Sequence, residues 1–168
     1  MPEAIDSRVI TATTAEHIAA AAALFREYAA SLPFPLDYQG FEAELAALPG
    51  KYAPPGGCIV LALDGGEYVG CGAIRPLDPS GRFDGEPSPA CEMKRMYIRP
   101  SARGKRLGRA IAEALLAHAR AAGYRLMKLD TEEDFIEAMR LYESLGFTRT
   151  RRYNNDPMPC TVWMSKEL

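Results

Sequence analysis

A basic, glycine-containing turn in the middle of the sequence joins an apolar strand to an amphipathic helix, and it limits the possible folds more than any other segment. Residues 90–98 read as a strand, and the helix begins near Leu107. No residue between Met93 and Arg109 is acidic, and seven of the chain's 20 basic residues lie there: Lys94, Arg95, Arg99, Arg103, Lys105, Arg106 and Arg109. Free amides and the dipole of a helix N-terminus favour phosphate oxygens. The sequence therefore predicts an anion site, with a solvated basic face as the plainer alternative.

The other apolar patterns predict an α/β (α+β) fold, a mixed sheet with helices on both faces. A length of 168 residues suits one domain, which we expect to span residues 1–168. We predict strands at 8–13, 57–64, 67–75, 90–98, 125–130, 147–153 and 160–167. We predict a helix behind a Thr13–Glu16 capping box, a second at 38–48, a third opening near Leu107 and a fourth at 135–145.

Composition excludes several classes of protein. The net charge of −2 and the pI of about 5.8 disfavour a nucleic-acid-binding module. No apolar run is long enough to span a membrane, and the acidic N-terminus is unlike a signal peptide. The four cysteines form no C-x-x-C pair and the two histidines are far apart, so we expect no metal. We interpret the cysteines as reduced thiols and expect a cytoplasmic protein.

The segment CEMKRMYIRPSARGKRLGRAIAEALLAHARAAGYRLMKLD, followed by AMRLYESLGF, resembles the coenzyme-A-binding core of the GNAT N-acetyltransferase superfamily. The family motif is [QR]-x-x-G-x-[GA], and this chain has RGKRLG at residues 103–108, with Arg106 in place of the first motif glycine. The resemblance is close over residues 90–148. It implies a mostly antiparallel sheet of about six to seven strands that is splayed between its central strands.

The resemblance also implies where acetyl-CoA binds as co-substrate. The backbone of Met96, Tyr97 and Ile98 would hold the pantetheine arm like an added strand. Pyrophosphate would lie on the turn and helix start, and basic side chains there would reach the 3′-phosphate. The implied residues of this second group are Arg103, Gly104, Lys105, Arg106, Leu107, Gly108 and Arg109.

Two side chains are candidates for the proton transfers of acetyl transfer to an amine. Glu92, four residues before Met96, lies where several family members carry a catalytic glutamate, and it is the candidate base. Its alternative is a surface glutamate paired with Lys94 or Arg95. Tyr142, within the L-Y-x-x-x-G-F pattern, is the candidate acid for the departing thiolate, with a core aromatic as its alternative.

The leading hypothesis is an acetyl-CoA-dependent N-acetyltransferase that acts on a primary amine of a small molecule or peptide. The alternative is a non-catalytic acyl-CoA-binding sensor. We expect the acceptor pocket among loops 31–40, 76–89 and 153–159. No motif in these loops identifies the acceptor. The resemblance further suggests a homodimer, and no nucleic acid or membrane partner is expected.

Overall fold

In the computed structural model, which describes residues 7–36 and 40–168, seven strands form one sheet in the order β1-β2-β3-β4-β5-β7-β6. Neighbouring strands are antiparallel except for β4 and β5, which run parallel. The strands are β1 (Ser7–Thr11), β2 (Cys58–Asp64), β3 (Glu67–Pro76), β4 (Ala90–Ile98), β5 (Leu126–Glu132), β6 (Thr148–Thr150) and β7 (Thr161–Glu167). The mixed, mostly antiparallel seven-stranded sheet confirms the predicted fold class.

Helices cover both faces of the sheet because its central strands are apolar on both sides. The α-helices of the described residues are α1 (Ala15–Ser31), α2 (Phe41–Ala47), α3 (Leu107–Ala121) and α4 (Ile136–Ser144). Along β2, Val60 and Ala62 pack with α3, whereas Ile59 and Leu61 pack with α1 and α2. This two-residue alternation divides the core into two layers. No helix within residues 7–36 and 40–168 is long and apolar enough to cross a membrane.

Several element boundaries differ from those predicted from the sequence. Helix α1 is capped by Thr14, whose hydroxyl accepts a hydrogen bond from the His17 amide at 3.1 Å, so the predicted Thr13–Glu16 capping box is wrong. Helix α2 begins at Phe41, and residues 38 and 39 of its predicted range lie outside the described residues. The strand predicted at 147–153 is reduced to Thr148–Thr150, because only these residues pair with β7.

The splay between β4 and β5 creates the main opening in the fold. The two strands pair only from Ala90 to Glu92 on β4, opposite Leu126 to Lys128 on β5. Beyond that point the pairing of β4 with β3 shifts register, and Arg95 has a φ of 62°. This β-bulge bends β4 away from its parallel neighbour and leaves the later residues of β4 unpaired on that side.

Candidate active site

A large cleft lies where β4 separates from β5, between the end of β4, the start of α3 and one wall of α4. Its volume is about 690 Å³. Nine of the ten residues predicted to bind the coenzyme line it: Met96, Tyr97, Ile98, Arg103, Gly104, Arg106, Leu107, Gly108 and Arg109. The opposite wall includes Ile136, which is 53% exposed and offers apolar surface to a ligand. The cleft is long, open and lined along one side by strand backbone.

The tenth predicted residue, Lys105, lies outside this lining. Its ammonium forms an ion pair with Asp64, at the end of β2. Two other basic side chains of the turn also have partners. Arg103 donates to the Ile98 carbonyl at 3.1 Å, and Arg109 donates to Glu113 at 3.1 Å. Both nevertheless line the cleft, so the basic wall is formed by arginines rather than by Lys105.

The basic end of the cleft is the N-terminus of α3. The first bond of the helix runs from the Ala110 amide to the Arg106 carbonyl, so the amides of residues 107–109 have no partner within the helix. No side chain among the described residues caps this terminus. These amides and the helix dipole together favour a phosphate group at this end.

Arg106 occupies the position where the family motif has a glycine, and its backbone explains how it fits there. The residue is left-handed, with φ 60° and ψ 20°, the region that glycine adopts without strain. Gly104, two residues earlier, is also left-handed at φ 83°. The turn therefore keeps the backbone path of a glycine motif and adds a guanidinium to the cleft lining.

Tyr142, on α4, lies at the junction of the large cleft and a smaller cavity, and it lines both. Its ring packs edge-on against Phe147 at a centroid distance of 5.9 Å. Its hydroxyl makes no hydrogen bond to any part of the chain that the structure describes. Burial raises the pKa of Tyr142 well above its ordinary value, so the hydroxyl stays protonated at neutral pH. It is a protonated donor that faces open space.

Glu92 is placed differently from Tyr142. Its carboxylate is 4% exposed, one oxygen accepts from Arg75 at 3.0 Å, and the other accepts from the Tyr153 hydroxyl. It borders a separate depression lined by residues of loop 76–89 and by Asn154, and it does not line the cleft or the smaller cavity. The structure thus pairs Glu92 with Arg75, not with Lys94 or Arg95, and does not bring it into one pocket with Tyr142.

The smaller cavity, of about 80 Å³, contains acidic side chains that the sequence did not single out. It lies between β4, β5 and α1, and its polar lining includes Lys94, Asp130, Glu132 and Asp156. Burial raises the pKa of Glu132 above its ordinary value, and the nearby Asp156 and Asp130 raise it further. Phe34 and Leu36 from loop 31–40 and Asp156 from loop 153–159 reach this cavity, whereas loop 76–89 lines the depression at Glu92.

Comparison with known proteins agrees with this architecture. The model of the Acetyltransferase (GNAT) family matches residues 15–147. The chain belongs to the GNAT family. It is 36% identical over 146 residues to an uncharacterized N-acetyltransferase of Schizosaccharomyces pombe, covering 86% of this chain and 85% of the relative.

Solved structures share the GNAT fold. An acetyltransferase from Streptococcus agalactiae superposes with a TM-score of 0.72 at 22% identity, covering 96% of this chain and 98% of that one. An acetyltransferase from Salmonella typhimurium, solved with its cofactor acetyl-CoA, has a TM-score of 0.68 at 19% identity, covering 96% of this chain and 94% of that one. This GNAT protein is accordingly an acetyltransferase that uses acetyl-CoA.

Proposed function

We propose that this acetyltransferase moves the acetyl group of acetyl-CoA directly to a primary amine of a small molecule or peptide. The observation that carries the proposal is the Tyr142 hydroxyl, which has no partner among the described residues and lies where the large cleft meets the acidic cavity. The coenzyme would occupy the cleft and the acceptor amine the cavity. The thioester would then lie at their junction, next to Tyr142.

The coenzyme would be held mainly by backbone. The unpaired edge of Met96, Tyr97 and Ile98 offers amides and carbonyls to the pantetheine arm in the manner of an added strand. The amides of residues 107–109 would hold the pyrophosphate. Arg103, Arg106 and Arg109 all line the cleft and are the candidates for contact with the 3′-phosphate.

Acetyl transfer needs two proton movements. The acceptor enters as an ammonium, loses a proton to a base and attacks the thioester carbonyl, forming the C–N bond. The C–S bond then breaks, and the coenzyme thiolate takes a proton from Tyr142. Glu92 was the sequence candidate for the base, but its carboxylate is held by Arg75 and Tyr153. We favour Glu132, which lines the acceptor cavity and whose raised pKa makes it a stronger base.

Release of free thiol from acetyl-CoA in the presence of an amine panel tests this function. General acid catalysis contributes about 10²–10⁴ in rate, so Tyr142→Phe should lower kcat at least tenfold with little change in coenzyme affinity. Tyr68→Phe, which removes the hydroxyl of a tyrosine that bonds Glu16 and lines neither the cleft nor the smaller cavity, is the matched control. Wild-type kcat in Tyr142→Phe would remove the hydroxyl from the mechanism.

The same assay separates the enzyme from an acyl-CoA sensor. A sensor would bind acetyl-CoA, as measured by calorimetry, and release no thiol with any amine. We also propose a cytoplasmic location, supported by the four free cysteines, three of which are buried. A homodimer, expected from the family resemblance, is tested by light scattering of the purified protein.

A further inference from the structure

Lys94 is a buried cation that the protein itself leaves incompletely satisfied. The residue is 6% exposed, and its ammonium forms one ion pair, 3.8 Å from the Asp130 carboxylate. That distance is too long for a hydrogen bond, and no other described residue bonds to the ammonium. The residue lines the acceptor cavity, and its ammonium carries three donors. Buried charges are normally both paired and hydrogen-bonded, so this arrangement points to a ligand.

The two other buried basic side chains among the described residues have close hydrogen-bonding and ion-pair partners. Arg95 donates to the Glu44 carboxylate at 2.8 Å and 3.1 Å. Lys128 lies 2.9 Å from the Glu86 carboxylate and donates to the Gly81 carbonyl at 2.8 Å. Both cations therefore make short hydrogen bonds or ion pairs with other parts of the protein. Arg95 also lines the cavity, but Lys94 is the one of these three cations whose ion pair is long.

The wall facing β4 has the opposite charge. Glu132 is 7% exposed, and one of its oxygens accepts from Thr161 at 3.1 Å while the other has no hydrogen bond among the described residues. Asp130 accepts from Asn154 at 2.6 Å, which fixes its carboxylate on the same side. The cavity therefore has the Lys94 ammonium on one side, next to Arg95, which is paired with Glu44, and carboxylates on the other. That charge pattern complements a zwitterion.

We propose that the acceptor carries a carboxylate close to its reactive amine, as amino acids do, and that Lys94 binds this carboxylate. This inference rests on the proposed acetyl transfer to an amine. The acceptor carboxylate would form charge-assisted hydrogen bonds with Lys94, and its amine would face Glu132. A monoanion suits the site better than a phosphate dianion, because three carboxylates line the same cavity.

The cavity volume supports a compact head group. About 80 Å³ admits an amine and a nearby carboxylate but not a bulky acceptor as a whole. Tyr28 and Phe34 supply apolar surface on the α1 side for the remainder of the acceptor. Lys94 is thus a specificity-determining residue, and its removal should change which amines are used more than how fast a neutral amine reacts.

The test compares amino acids with their carboxamides and their decarboxylated amines in the thiol-release assay. For the wild type we expect kcat/KM for the acid to exceed that for its carboxamide at least tenfold, because a site built to bind a polar group discriminates against its loss. In Lys94→Met, of similar length and without charge, this ratio should fall to within about threefold. For Lys94→Gln, which keeps a hydrogen-bond donor, the ratio should lie between those of the wild type and Lys94→Met. Lys51→Met, at an exposed lysine outside the cavity, should keep the wild-type ratio.

The outcomes separate this inference from the proposed function. Equal use of acid and carboxamide by an active wild type, or an unchanged preference in Lys94→Met, overturns the role of Lys94 and leaves amine acetylation standing. If no acceptor releases thiol, acetyl transfer to these amines fails. Calorimetry of amino acids with the coenzyme-loaded protein then decides the inference. Carboxylate-dependent binding that is lost in Lys94→Met supports it, and the absence of such binding overturns it.

Discussion

The substitution Gly108→Ala separates folding from coenzyme binding. Its added methyl group should increase the stability of the free protein and decrease its affinity for acetyl-CoA. Gly108 is the second residue of α3 and lines the cleft. A Cβ at Gly108 would meet Leu141 Cδ2 at 3.7 Å and Ile98 Cγ1 at 3.9 Å, which are ordinary contacts. The folded protein therefore has room for alanine. Replacing a helical glycine by alanine stabilises by about 0.5–1 kcal/mol. For a chain of this size, Gly108→Ala should raise the Tm of the free protein by about 1–4 °C.

The same methyl group projects into the space that the coenzyme would use, between the end of β4 and α4. We expect at least a tenfold loss of acetyl-CoA affinity, which removes about 1.4 kcal/mol of ligand stabilisation at saturating concentrations. The acetyl-CoA-induced rise in Tm should then shrink by about 3–6 °C, and Gly108→Val should nearly abolish it. Differential scanning fluorimetry with and without acetyl-CoA measures both effects in one experiment.

The matched control is Ala110→Gly, on the same helix and outside the cleft lining. It should lower the Tm of the free protein and leave the response to acetyl-CoA intact, the reverse of Gly108→Ala. A Gly108→Ala protein that is destabilised but binds acetyl-CoA normally would refute the reasoning. Gly108 would then serve packing alone, and the pyrophosphate would bind elsewhere.

Three further outcomes follow from the site. Arg106→Gly should stabilise the free protein by about 1 kcal/mol by relieving its left-handed backbone, and urea unfolding measures this. Dephospho-CoA should bind more weakly than coenzyme A by calorimetry, and the difference should shrink in Arg103→Ala if that side chain holds the 3′-phosphate. The raised pKa of Glu132 means that its charged form destabilises the fold above that pKa, and the effect disappears as pH falls toward the ordinary value of 4.5. Glu132→Gln should therefore raise the Tm more at pH 8 than at pH 4.

The wall of the large cleft that we propose for the coenzyme was predictable because it is built from contiguous sequence. A strand, a basic turn and a helix start follow one another, so most of the residues from Met96 to Gly108 that we propose for the coenzyme line one wall of the cleft. The exception is Lys105. Its neighbours in sequence gave no indication of Asp64, its partner at the end of a distant strand.

The smaller cavity, which we propose for the acceptor, was not predictable in the same way, because it is assembled from separate elements. Lys94, Asp130 and Asp156 lie on β4, on β5 and in the loop before β7, and only the parallel pairing of β4 with β5 brings the first two together. Glu92 is the opposite case, because the sequence singled it out but it lines neither the cleft nor the smaller cavity. Its position matched a known pattern, but its partner Arg75 lies on the neighbouring strand β3, and nothing in the local sequence pointed to that pair.

One irregularity in β4 connects the two halves of the site, and the sequence does carry a signal for it. Strict alternation from Cys91 and Met93 would send Arg95 into the apolar layer beneath α3. The apolar residues instead resume at Met96, and the bulge at Arg95 restores them to that layer. The bulge therefore leaves two consecutive cations, Lys94 and Arg95, on the opposite face, where both line the smaller cavity and Arg95 also pairs with α2. The same bulge bends β4 away from β5 at the large cleft, so one extra residue in the strand shapes both the cleft and the smaller cavity.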